Sequence, residues 1–212
     1  MGNMTFTIDF LLDLKQKLNG NLPGEKAHRL MLPPNRKLTP NSTNNTTPKI
    51  SAVLILLFPL NDKIHLCFIK RPSTMRNHAG QISFPGGKHD ATDPSIEYTA
   101  LREAKEEVGI SPGDIQLIGQ LSDLYIEVSN FLIYPIIGYI EHKPHFSVNE
   151  DEVSEFFTIP LADFSDKDNL KMHTVNTVTG PLEVPCFNIN NEIIWGATAM
   201  IMAELITIIS NN

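Results

Sequence analysis

Three carboxylates, Glu103, Glu106 and Glu107, crowd into the run Arg102-Glu103-Ala104-Lys105-Glu106-Glu107-Val108-Gly109-Ile110. At about 100° per residue, a helix there sets Glu107 about 40° to one side of Glu103 and Glu106 about 60° to the other. All three then share one face. Leu101, Ala104 and Val108 fall together about 100–160° away, an apolar stripe that would seat the helix on a sheet. Like charges at this spacing repel by a few tenths of a kcal/mol per pair, and more when partly buried, so a cation is the natural compensation. Oxygen donors in this number suit Mg²⁺ or Mn²⁺, which take a few carboxylates and keep waters for a substrate phosphate. The alternative is an acidic face left in water, the common fate of such spacing on an arbitrary helix. Context favours the cation, because the helix follows Gly86-Gly87, whose bare backbone can approach a phosphate or offer a carbonyl to a metal.

Further cations and carboxylates flank this helix. Arg71 and Arg76 carry guanidinium forks suited to phosphate oxygens, although each could equally serve a structural ion pair. Arg102 is better placed to orient the glutamates than to touch a substrate. His78 and His89 read as polar loop residues. A second acidic group, Glu150-Asp151-Glu152, follows later in the chain. Other chemistries fail on spacing. The stretch from Gly80 to Lys88 has Pro85 where a phosphate loop needs glycine, and His89 where it needs Ser or Thr. No zinc spacing occurs among the seven His and two Cys, and no Gly-x-Ser-x-Gly elbow is present.

The elements that must hold these groups follow from periodicity and breakers. Helices are predicted over 6–18, 94–108 and 196–209, with Asp93 as the N-cap of the second, Pro94 at its first position and Gly109 as its stop. Strands are predicted over 51–60, 63–71, 115–121, 131–140 and 156–158, with Asn61-Asp62 turning the first pair into a hairpin. Strands on both sides of a central helix, plus a closing helix, predict an α/β (α+β) fold with one mixed sheet between helices. Pro33-Pro34, Pro40 and a Ser/Thr/Asn cluster mark residues 1–48 as an N-terminal helical extension and linker, leaving 49–212 as the main domain. A chain of 212 residues, 42% hydrophobic, can bury such a core unaided. Seventeen Lys and Arg against 24 Asp and Glu leave a net charge of −7, which argues against nucleic acid as a partner. No apolar run reaches the ~20 residues of a membrane span. Two cysteines, with Cys67 in an apolar run, fit a reducing, cytoplasmic setting.

Gly87, Asp93 and the run Arg102 to Ile110 resemble the Nudix box, whose later half reads Arg-Glu-apolar-x-Glu-Glu-x-Gly-apolar. Asp93 stands where the general pattern has Glu, and the spacing from Gly87 to Arg102 is one residue longer. Both departures, with Arg71, Arg76, Gly80 and Phe84-Pro85-Gly86-Gly87 upstream, are similar to the coenzyme A pyrophosphatase branch of the Nudix family. Pro72 departs from the small residue usual there. Weaker similarity extends over residues 50–205, at Glu152-Val153, Pro160-Leu161 and Trp195-Gly196. The resemblance implies a Nudix-like α/β/α sandwich with a mixed β-sheet between helices. It implies hydrolysis of the diphosphate of coenzyme A or acyl-coenzyme A to 3′,5′-ADP and 4′-phosphopantetheine, or its acyl form. Glu103 and Glu107 would hold the principal Mg²⁺ or Mn²⁺, Glu106 a second, and Gly87 would add a carbonyl. Arg71, Arg76, Gly86 and Gly87 would bind substrate. The general base would be Glu106 first and Glu152 second. ADP-ribose or NADH is the alternative substrate, and a non-catalytic nucleotide sensor the alternative class. A homodimer is compatible with this reading; a membrane partner is not expected.

Overall fold

Strand β1 (Lys49–Leu60) carries the run Leu54-Ile55-Leu56-Leu57, in which no side chain touches solvent. A strand apolar at every position must be covered on both faces. Leu54, Leu56 and Phe58 enter one apolar cluster with Ala100, Ala104 and Val108, while Ile55 and Leu57 enter a second cluster on the other side. The computed structural model that shows this describes residues 4–34, 36–38, 47–72, 80–177 and 180–210.

Around β1 the main sheet is mixed. β2 (Lys63–Lys70) pairs with it antiparallel, Leu57 opposite Leu66. Asn61 and Asp62 both take positive φ in the turn between, the backbone that matches a twisted hairpin. β3 (Ile82–Ser83) extends β2, and β4 (Gly86–Lys88) pairs with the first half of β1. β5 (Gln116–Gln120) and β6 (Leu124–Ile126) pair antiparallel with β7 (Phe131–Tyr139), which lies parallel to β1. β8 (Glu155–Pro160) covers the outer edge of β2. The main strands run in the order β3-β2-β1-β7-β5.

Three helices and a small helical turn build the outer layers. On one face α1 (Ile8–Leu18) buries Leu11, Leu14 and Leu18 against the same cluster as α4 (Gly196–Ser210), with the short α2 (Glu25–His28) beside them. On the other face lies α3 (Ile96–Val108). Its seat differs from the sequence expectation. Ala100, Ala104 and Val108 are the fully buried stripe, and the bulkier Leu101 is only half-buried. Ser95, not Asp93, is the N-cap, its hydroxyl accepting from the Tyr98 amide at 3.2 Å. Asp93 is instead drawn to Arg102. Gly109 stops the helix as expected, in the left-handed conformation at φ 73°.

Two features lay beyond the sequence reading. A second, three-stranded sheet is formed by β9 (Leu170–Thr177), β10 (Gly180–Ile189) and β11 (Glu192–Trp195). Pro181 and Pro185 interrupt β10, and in β9 the brief alternation Leu170-Lys171-Met172-His173 lapses at Thr174-Val175, so neither carries a sustained strand signature. Second, the helices that precede Lys49 share the apolar cluster of α4 rather than standing apart from it. Among the described residues no helix is long and apolar enough to cross a membrane.

Candidate active site

The site forms where the β4 loop meets the inner face of α3. Glu107 points under the loop and is only 5% exposed, its Oε2 accepting from the Gly86 amide at 2.8 Å. Gly87 lies against Glu103. A Cβ on Gly87 would sit 2.4 Å from the Glu103 carboxylate, so only glycine leaves that carboxylate its place. A Cβ on Gly86 would meet the Ala52 carbonyl at 2.4 Å, which wedges this residue against β1. Arg71 closes the far side, its Nη2 donating to the Gly86 carbonyl at 3.3 Å.

Arg102 is the organiser on the solvent side. Its Nε and Nη2 grip both oxygens of Asp93 at 3.0 Å, and Nη2 also donates to the Lys88 carbonyl. Its Nη1 reaches Glu103 at 2.9 Å and Glu106 at 2.8 Å. Arg102 thus orients the glutamates, and its fork holds the Asp93 carboxyl well below the usual carboxylate range. Behind Asp93 stands the buried Thr99, whose hydroxyl donates to it at 2.9 Å and pairs with His89 Nδ1 at 2.8 Å. His89 is accordingly a loop-anchoring residue. Thr99 escaped the sequence reading because its partners come from a loop with no fixed spacing to the helix.

The electrostatics are those of an acid cluster short of positive charge. Burial pushes the Glu107 carboxyl up to about 8, against the Gly86 amide and Arg71, with Glu103 and Glu152 adding repulsion. Burial likewise raises Glu103, against Arg102, with Glu106 and Glu152 raising it further. Glu152 therefore lies close enough for its charge to act on both the half-buried Glu103 and the buried Glu107. It rides on residues 147–153, a loop that crosses the C-terminal end of α3: Ser147 and Asn149 donate to the Val108 and Glu107 carbonyls, each at 3.0 Å. Sequence alone could not bring Glu152 to Glu103 across so many residues.

The structure therefore gathers Glu103, Glu107, Gly86, Gly87, Arg71 and Glu152, and places Glu106 at the exposed rim with its carboxylate on Arg102. Arg76 and His78 lie outside the described residues. The donor set fits a hard divalent cation: all oxygen, rich in carboxylate, with a bare glycine facing it and a buried acid that burial alone would leave protonated. Among the described residues no three His, Cys, Asp or Glu side chains close into a full ligand set. Mg²⁺ does not require one, since it is usually bound by one or two carboxylates and keeps several waters.

A glycine loop laid over an acidic helix face is an arrangement suited to holding a hard cation beside a phosphate. The NUDIX domain pattern matches residues 48–177, and the chain belongs to the Nudix family of hydrolases. The Nudix hydrolase NudL of Pectobacterium atrosepticum is 38% identical over 146 residues, 69% of this chain and 76% of its own. NudL of Photorhabdus laumondii is 33% identical over 173 residues, 82% of this chain and 88% of its own. A MutT/nudix family protein from Enterococcus faecalis shares the fold with TM-score 0.51 at 15% identity, over 81% of this chain and 64% of that one.

Proposed function

We propose that this hydrolase cuts the diphosphate bond of coenzyme A and its acyl derivatives, releasing 3′,5′-ADP and 4′-phosphopantetheine or its acyl form. The observation that carries the reading is the bond from Arg71 to the Gly86 carbonyl. It joins the start of the upstream signature, in which the similarity to the coenzyme A branch resides, to the loop over Glu103 and Glu107.

Glu103 and Glu107 would hold Mg²⁺ or Mn²⁺, with Glu106 and the Gly87 carbonyl as further oxygen donors; the cation would neutralise the diphosphate, acidify a bound water and stabilise the leaving oxygen. The protein's own groups do the rest. Arg71 adds positive charge beside the glycine loop, and Arg76 belongs to the same signature. Arg102 fixes the rotamers of Glu103 and Glu106. Between the two candidate bases, the site favours Glu152. Glu106 is engaged by Arg102 at 2.8 Å, whereas Glu152 rides on a separate loop from which its charge acts on Glu103 and Glu107, and we assign it the proton of an attacking water.

The test is product identification. Purified protein with Mg²⁺ or Mn²⁺ is incubated with coenzyme A, dephospho-coenzyme A, ADP-ribose and NADH. Release of 3′,5′-ADP from coenzyme A at the highest kcat/KM supports the proposal. A clear preference for ADP-ribose or NADH would replace the substrate, and no turnover on any would point to a nucleotide sensor.

A further inference from the structure

We infer that Asn149 is a positioning residue that sets Glu152 beside Glu103 and Glu107, by building the turn that carries Glu152 and hanging that turn on the end of α3. This rests on the hydrolase reading above, in which Glu152 takes the proton of the attacking water.

Three acids in a row, Glu150-Asp151-Glu152, repel one another and would open an unsupported loop. Asn149 counters this with its amide, its carbonyl and its side-chain oxygen. Its amide donates to the Glu107 carbonyl at 3.0 Å, one of the last carbonyls of α3, which have no donor within the helix. Its side-chain Oδ1 accepts from the Asp151 amide at 3.2 Å, the closure that lets Asn mimic a backbone turn. Its own carbonyl accepts from the Glu152 and Val153 amides at 3.1 and 2.9 Å. The loop therefore hangs from the peptide of Glu107 itself.

The far end is fastened as well. Val153 is 2% exposed and sits in the apolar cluster of Ala104 and Val108. Ser154 gives its amide and its hydroxyl to the Lys70 carbonyl at 3.0 and 2.9 Å. Upstream, Ser147 presses on the helix end so closely that a Cβ on Gly109 would lie 2.6 Å from the Ser147 carbonyl. With both ends fixed, the reach of Glu152 depends on the turn between them. Among the described residues, the side-chain bond that shapes this turn is that of Asn149.

The test reads position first, without substrate. In metal-free protein at about pH 9, where carboxylates are charged even when burial raises them, a double-mutant cycle of Glu107→Gln and Glu152→Gln measures their mutual repulsion in thermal stability. The expected result is a clear repulsive coupling in the parent, at least about halved in Asn149→Ala and retained in Asn149→Ser, whose hydroxyl can close the same turn. Turnover is read second: Asn149→Ala should lose about tenfold or more in kcat with KM little changed, as small misplacements of catalytic groups do, and Asn149→Ser should recover most of it. Equal coupling in the parent and Asn149→Ala, or no coupling in the parent, overturns the inference. If the parent cuts no diphosphate, the hydrolase reading falls while the coupling cycle still decides the role of Asn149.

Discussion

Glu107 combines two opposed demands. In the proposed role it would have to be an anion to hold a cation, yet it is buried where the anion is disfavoured. Its carboxyl lies at about 8 in the folded protein against an ordinary value of 4.5, so the metal-free fold keeps a proton that the unfolded chain releases. The sign follows: stability is full below the ordinary value and falls as pH rises through the folded one. Glu107→Gln should therefore melt higher than the parent at about pH 9 without metal, and no higher near about pH 4. The same substitution should cost about 100-fold or more in turnover if Glu107 is the principal oxygen ligand proposed above, and near-full activity would remove it from that role. Calorimetry across pH and a kinetic assay check the two halves. For the base, Glu152→Gln should lower turnover by about 10²–10⁴ with Mn²⁺ affinity nearly unchanged, and higher pH should partly restore it. If Glu106→Gln shows that pattern instead, the base belongs to the helix.

The unit that matters at the next scale is α3 with the loop laid over it. Two adjacent glycines there should respond in opposite ways. The three atoms nearest a Cβ on Gly87 all belong to the movable end of Glu103, so Gly87→Ala should keep the melting temperature within a few degrees while weakening Mn²⁺ binding and turnover strongly. A Cβ on Gly86 meets the backbone of Ala52 and Val53, so Gly86→Ala should destabilise the fold itself. Thermal melts paired with Mn²⁺ titration separate them. The acidic face of this helix was legible from spacing alone. Its burial was not, because Glu107 lies only about 40° from Glu103 on a wheel, yet the packing of β4 over α3 puts it under Gly86. Asp93 shows the same limit: Asp before Pro reads as a cap, and only the folded position of Arg102 reveals a stronger partner.

Across the whole molecule, the segment before Lys49 is fastened by one buried acid. Glu204 of α4 is fully buried; its oxygens accept from the Gly24 amide at 3.0 Å and the Ser122 hydroxyl at 2.6 Å, and pair with His28 at 2.9 Å. Burial pushes this carboxyl up, but His28, Ser122 and Gly24 outweigh it and leave it lowered. The stability it supplies is thus present above the ordinary 4.5 and lost as pH falls through the lowered folded value. Glu204→Leu should cost about 3 kcal/mol or more at neutral pH, since the Gly24 and Ser122 amides, the Ser122 hydroxyl and His28 all lose their partner, and the gap should narrow in acid. Deleting residues 4–34 should likewise lower the melting temperature sharply rather than leave an intact domain, because Leu11, Leu14, Leu18 and Met31 go with them.

What the sequence determined by itself is whatever depends on neighbours along the chain. The acidic face of Glu103, Glu106 and Glu107, the stop at Gly109, the hairpin at Asn61-Asp62 and the buried strand over 51–60 follow from a 3.6- or 2-residue period and from backbone preference. The tertiary structure alone decided what depends on residues far apart. It turned Glu107 under Gly86, drew Arg102 onto Asp93, seated α1 against α4 and carried the loop of Glu152 across the end of α3. Period fixes which residues share a face, but burial and charge are set by what packs against that face. For this site, the packing partners are the glycine loop and the turn built by Asn149.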